Sequence, residues 1–181
     1  MTILQLSKLL HRGKIGVIPA DTIYGIVGSA LKPETVEEIY DLKKRDKSKP
    51  MIILISDFAD LEKFEVKIPE QLKKLWPNPI SIILPCPCEK FTYLHRGKKS
   101  LAFRMPKNKL LQTLLKEIGP LVAPSANIEG APVSETIEEA KKYFGDKVFY
   151  IDQGKITAKP STLIEIKDGK IKVLRQGVFA V

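Results

Sequence analysis

Nine residues, LKKRDKSKP, crowd five cations (Lys43, Lys44, Arg45, Lys47 and Lys49) directly ahead of the apolar run MIILI. Fixed against the start of a buried strand, such charges can grip an anion. Spread over a surface they simply face water, which is the commoner fate of a basic stretch. The dipole of a preceding helix accounts for one or two cations in its last turn, not for five. Three polar clusters also interrupt apolar runs: PADTIYG, APSAN and KPST. Each lies at the end of a strand-like segment, where α/β sheets commonly bind ligands. In APSAN, Ser125 and Asn127 alternate along an extended segment, so a hydroxyl and an amide can project together toward a phosphate or a carbonyl. Taken singly, each cluster also reads as ordinary turn and loop hydrogen bonding, with Asp21 capping backbone N–H groups and Tyr24 packing.

Charge points in the same direction. The net charge of +9 favours an anionic partner such as a nucleotide, a tRNA or a phosphate-rich substrate. A Lys-rich surface also arises as an adaptation to heat. Only five of the 30 cationic residues are Arg: Arg12, Arg45, Arg96, Arg104 and Arg175. Where Lys supplies the surface charge, Arg is kept for sites that need a planar fork for carboxylate or phosphate. That consideration singles out Arg45, Arg104 and Arg175.

Several chemistries are poorly supported. There is no G-x-x-x-x-G-K-[ST] loop, no G-x-G-x-x-G after a strand and no G-x-S-x-G elbow. His11 and His95 are the only histidines, the first at the end of a surface helix and the second in a loop, so a histidine triad is not expected. Cys86 and Cys88 stand too close for an easy disulfide and are too few for a structural zinc site, even with His95 nearby, so no metal site is expected. An enzyme built from these residues works by positioning charges and excluding water. No apolar run approaches the ~20 residues of a membrane span, and the N-terminus lacks a secretory cleavage pattern, so a cytoplasmic protein is expected.

Positioning these clusters falls to alternating elements. A first helix is predicted from Thr2 to His11, stopped at Gly13, followed by a buried strand in KIGVIPA. DTIYGIVGSA comes next, with two glycines that allow close approach to a ligand. A second helix is predicted to start at Thr35, where TVEE offers a capping box with Glu38, and Val36, Ile39, Tyr40 and Leu42 form its apolar face. PMIILI, ISIILP and SLAFRMP read as strands, IPEQLKKLW as a short helix closed by PNP, and LHRGKK as a loop. NKLLQTLLKEIG is a strongly amphipathic helix, PLVAPSANIEGAP a strand entering a polar loop, and TIEEAKKYFG a helix with a capping box of Thr136 and Glu139. STLIEI, KDGK and KIKVLRQG form a closing hairpin. Strands alternate with helices and finish antiparallel, which predicts a single α/β domain over residues 1–181, with helices packed on a mixed sheet.

Taken in order, PADTIYGI, LKKRDKSKPMIILI, WPNPISIIL, LAFRMP, APSANIEGAP, STLIEI and VLRQG resemble the YrdC/TsaC family, the L-threonylcarbamoyladenylate synthases. The family patterns are P-T-[DE]-T-x-Y-G-L, K-x-R-x-x-x-x-P-L-I, W-P-G-P-x-T, V-x-R-x-P, S-A-N, S-T-[IV] and L-R-x-G. One of these alone would mean little; seven in the same order, from about residue 5 to 178, are specific. The resemblance implies an open, twisted sheet of parallel and antiparallel strands with packed helices around a deep basic cavity. Because the chain ends soon after LRQG, it is expected to be the short, single-domain form. The implied reaction condenses L-threonine, bicarbonate or CO2, and ATP with Mg2+ into threonylcarbamoyl-AMP and pyrophosphate. A downstream transferase would use the product to modify the adenosine next to the anticodon of tRNA.

By the same resemblance Lys43 and Arg45 are the expected catalytic cations, and Arg45 and Lys49 approach the nucleotide. Ser100, Ser125 and Asn127 would hold phosphate or adenylate, and Arg175 would reach the nucleotide from the tail. Thr22, Arg104 and Ser161 would bind threonine. Ala20 stands where the family has Thr, Asn78 where it has Gly, and Leu54 where some relatives place His, which leaves amino-acid specificity open. Two other readings compete. One is a non-catalytic module binding tRNA or duplex RNA in the same basic cavity, although no aromatic stacking motif accompanies the charge. The other is a carbamoyl-adenylate enzyme of the hydrogenase-maturation type, which normally comes in a longer chain with acylphosphatase and zinc-finger regions.

Overall fold

Side-chain alternation along the strands sorts this chain into layers. The computed structural model describes residues 1–167 and 169–181. Among them, strands β1 (Gly16–Pro19), β2 (Tyr24–Ser29), β3 (Ile52–Leu54), β4 (Ile80–Pro85), β5 (Ser100–Arg104), β6 (Leu121–Val122), β7 (Phe149–Tyr150), β8 (Thr162–Lys167) and β9 (Lys170–Arg175) form one sheet. Its order is β7-β1-β2-β6-β3-β5-β4-β8-β9. The pairs β7/β1, β3/β5 and β4/β8 are parallel, and the others antiparallel. This is the mixed α/β fold expected from the sequence. Asp168, in the expected KDGK turn, lies outside the described residues.

The helices are α1 (Ile3–His11), α2 (Pro33–Lys43), α3 (Ala59–Glu62), α4 (Glu70–Lys73), α5 (Thr92–His95), α6 (Lys109–Ile118) and α7 (Ile137–Phe144). Among the described residues no helix is long and apolar enough to cross a membrane. Val17, Ile26, Ile53, Val122, Ile82, Phe103 and Ile164 join a large core with residues of α2, α5 and α7. Their strand neighbours Ile18, Val27, Leu54 and Leu121 point the other way, into a smaller core with Leu6 and Leu10 of α1 and Leu111, Leu114 and Leu115 of α6. Each buried aliphatic side chain contributes about 1.5–3 kcal/mol, so both layers are strongly held.

Side chains cap three of the helices. Thr2 and Gln5 make a complete capping box on α1, and Asn108 accepts the Leu111 N–H at the start of α6. Thr136 accepts the Glu139 N–H of α7, but the Glu139 carboxylate turns to the N–H of Glu135, so only half of the expected box forms. At α2 the expectation is corrected: the helix starts at Pro33, not at a capped Thr35. Proline fits the first turn because its ring pre-sets φ and no N–H partner is needed there. The Thr35 hydroxyl instead donates to Gly13 O at 3.2 Å and ties α2 to the turn after α1. The two-residue strand β7 and the short helices α3 and α5 carry too few residues to show a period.

Gly28 is also corrected, since it serves packing and not ligand access. A Cβ there would stand 2.5 Å from Thr35 Cγ2 and 3.0 Å from Ile39 Cδ1, so α2 sits directly on the β2 backbone. Gly28→Ala is expected to cost about 1–3 kcal/mol through overpacking. Urea unfolding would show it as a lower midpoint at unchanged slope; an unshifted midpoint would mean that α2 has room to move.

Candidate functional site

On the second face of the sheet, α1 and α6 cover β1, β2, β6 and the end of β3, while the face of β5, β4 and β8 stays open. That gap is a hollow of about 570 Å³. Ile52, Ile83, Ala102 and Leu163 form its apolar floor, one from each of four neighbouring strands. The registers Ile52↔Ala102 and Ile83↔Ala102 put these side chains on one face. Small residues at Ala20, Gly25, Ala102 and Ala123 leave the space unfilled. Gly25 bridges to Ser125, and Ala126 N–H donates to Tyr24 O at 2.9 Å, so the PADTIYG and APSAN segments close one side together.

Seven residues singled out in the sequence meet here: Thr22, Arg45, Ser100, Arg104, Ser125, Ser161 and Arg175. Arg104, only 5% exposed, sits 3.1 Å from the buried Asp21 carboxylate and 3.5 Å from Thr22 Oγ1. Asp21 Oδ1 and Oδ2 and Arg104 Nε have no aligned hydrogen bond among the described residues, so this pair is held by charge more than by directed bonds. Burial lowers the Arg104 pKa, the Asp21 charge opposes that and Arg175 adds to it. Arg175 donates Nε and Nη2 to Ser161 O at 3.2 and 2.8 Å, fixing the tail strand against KPST. Ser161 Oγ lies 2.9 Å from Ser81 Oγ. Arg45 donates Nε to Lys49 O and Nη2 to Pro50 O, both at 3.2 Å, and thereby shapes the loop on which it sits.

The other three expected residues do not line the hollow. Lys43, 1% exposed, donates from Nζ to Ser125 O at 2.6 Å, Asn127 O at 2.7 Å and Asn127 Oδ1 at 3.2 Å. An ammonium has three donors, and protein acceptors take all of them. Lys43 thus stands behind the SAN segment and holds it, away from the lining of the hollow. Burial, reinforced by Arg45, brings its pKa down to about 7 against the pull of Glu129. Asn127 is equally committed, accepting Ser125 Oγ–H at 2.6 Å and donating to Ala131 O at 2.7 Å. Lys49 pairs with Glu129 at 2.7 Å, which also accepts Asp46 N–H at 2.6 Å. Lys47 pairs with Asp41 at 3.0 Å. Of the five crowded cations only Arg45 borders the hollow, and partners elsewhere relieve most of the repulsion.

Three further sequence signals resolve differently. His95 is buried at the end of α5, not in an open loop, and burial pushes the Cys86 thiol up to about 11, which keeps it from acting as a thiolate. Of the three departures, only Ala20 lines the hollow. Leu54 is fully buried in the α1/α6 core, and Asn78 donates to Leu75 O at 2.9 Å. The sequence reading missed Lys98 and the apolar floor at Ile83 and Leu163. Alternation in ISIILP and STLIEI could have flagged the floor, because those residues face away from the main core.

The Sua5/YciO/YrdC family model, described as telomere recombination, matches residues 8–177. A threonylcarbamoyl-AMP synthase of Bacillus subtilis is 31% identical over 97% of this chain and 53% of its own length. A putative threonylcarbamoyl-AMP synthase of Methanocaldococcus jannaschii is 34% identical over 97% of this chain and 86% of its own length. The crystal structure of P. abyssi Sua5 complexed with L-threonine matches with a TM-score of 0.88 and 31% identity, covering 97% of this chain and 54% of that one. The chain thus spans about half the length of the Bacillus and Pyrococcus relatives. With the family model matched over nearly its whole length, the chain belongs to the Sua5/YciO/YrdC family.

Proposed function

We propose that this chain makes threonylcarbamoyl-AMP from L-threonine, bicarbonate or CO2, and MgATP, releasing pyrophosphate. The product feeds a partner transferase that modifies the adenosine beside the anticodon in tRNA. The observation that carries this reading is the single hollow in which residues from separate chain segments converge, with Arg45, Arg104 and Arg175 on its wall. Relatives named for the same product, and one bound to L-threonine, support it.

Thr22, Arg104 and Ser161 bind threonine, with Arg104 taking the carboxylate. Arginines fixed in place disfavour the ammonium form of the amino acid, so the neutral amine is selected. Its nitrogen attacks CO2, a proton leaves to solvent, and a carbamate forms. A carbamate oxygen then displaces pyrophosphate from the α-phosphorus in line. Ser100 and Ser125 hold phosphate or adenylate, and Arg45 and Arg175 stabilise charge on the departing anion. Mg2+ enters as part of MgATP and offsets charge on the departing pyrophosphate.

A pyrophosphate-release assay with ATP, bicarbonate and single amino acids tests this reading. Release is expected only with all three substrates, and Arg45→Ala is expected to lower kcat/KM about 100-fold, the usual loss when one charge-stabilising donor is removed. Equal release with serine would move the specificity away from threonine. No release, together with tight salt-sensitive RNA binding, would overturn the synthase in favour of an RNA-binding module.

A further inference from the structure

The cations bordering the hollow are not equally available. Arg45 spends Nε and Nη2 on backbone carbonyls, Arg175 is tied to Ser161, and Arg104 faces Asp21. Lys98 differs: it borders the hollow, yet its ammonium makes no ion pair or hydrogen bond among the described residues.

The turn that carries Lys98 is closely specified. Arg96 and Lys99 hold φ of 52° and 53°, and Gly97 holds 80°. Positive φ is unfavourable for side chains such as these, so surrounding contacts must impose it. Buried His95 accepts the Gly97 N–H on Nδ1 at 3.1 Å, which leaves its Nε2 to donate to Cys88 O at 3.3 Å. Lys98 N–H donates to His95 O at 2.8 Å, and Lys99 O accepts Cys86 N–H at 2.8 Å. The Arg96 guanidinium lies 4.1 Å from the Tyr40 ring centroid and pairs with Glu37 at 2.6 Å. The turn backbone is therefore tied down at Gly97, Lys98 and Lys99, while a four-carbon stem with three uncommitted donors is left at the rim.

We propose that Lys98 binds the polyphosphate of the nucleotide substrate, supplying the one adjustable cation in a wall of committed arginines. A compact ammonium on a flexible stem can follow phosphate oxygens as pyrophosphate separates, whereas the tethered arginines hold fixed positions. The assignment rests on the ATP reading given above.

Isothermal titration of MgATP and of AMP into wild type, Lys98→Ala, Lys98→Arg and Lys99→Ala tests it. Lys98→Ala is expected to weaken MgATP about tenfold, the loss of one charge-assisted contact, and to leave AMP unchanged. Lys98→Arg retains most of the affinity. Lys99→Ala removes the same charge from an adjacent position that does not border the hollow, and it binds as wild type. Equal MgATP affinity in wild type and Lys98→Ala overturns this assignment alone. So does equal weakening by Lys99→Ala, which would reveal a diffuse field, or an equal loss for AMP. A wild type that binds neither nucleotide overturns the ATP reading as well.

Discussion

Lys43→Met is expected to weaken nucleotide binding about 100-fold or more, although Lys43 does not border the hollow. Methionine fills the same channel but leaves Ser125 O, Asn127 O and Asn127 Oδ1 without their shared donor. Orphaned buried acceptors cost about 1–3 kcal/mol, and the SAN segment relieves that cost by moving. Ser125 then leaves the wall. Calorimetric MgATP affinity and urea unfolding measure the two effects separately, and unchanged affinity would show that the segment holds itself in place.

Lys43 also gives a pH signature. Its pKa is about 7 in the folded chain against an ordinary 10.5, with burial as the main cause. Between these values the unfolded chain binds more protons, so stability rises as pH climbs from about 7 toward 10.5 and this contribution is flat outside that window. The rise is missing in Lys43→Met. Nucleotide binding should move the opposite way, weakening above about pH 7, because a neutral amine has two N–H donors for three acceptors. Parallel slopes of stability and affinity in the wild type would contradict this role.

Arg104→Met is expected to be the most destabilising change at the site. It strands the Asp21 carboxylate in a buried place without its cation, a loss of about 3–5 kcal/mol. The double variant Asp21→Asn with Arg104→Met should recover much of that stability, since no uncompensated charge remains. Neither variant should show threonine-dependent pyrophosphate release, because both lack Arg104, the proposed ligand of the threonine carboxylate. Full stability of the single variant would mean that water reaches Asp21, and restored turnover in the double variant would remove Arg104 from the threonine site.

Different parts of the molecule were legible to different degrees. The helices α1, α6 and α7 were readable from a 3.6-residue apolar period, together with the stop at Gly13 after α1 and the cap at Thr136 before α7. The strands β3, β4, β5 and β8 were readable as short apolar runs ending in turn residues. At α2, TVEE satisfies the capping pattern, yet Thr35 is drawn to Gly13 O by the packing of α2 on β2. His95 looked like a loop residue because nothing local shows that α5 is buried.

Residue types and their order along the chain determined the mixed α/β class, the family and the segments that meet around the hollow, because period, capping and motif order are local properties of a sequence. Only the tertiary structure decided which charges turn toward the hollow. Lys43, Lys49 and Asn127 find acceptors or counter-ions elsewhere, while Arg45, Arg104, Arg175 and Lys98 remain at the wall. Buried polar and charged groups such as those of Lys43 and Asn127 settle where partners satisfy them, and those partners come largely from segments whose approach no local spacing records.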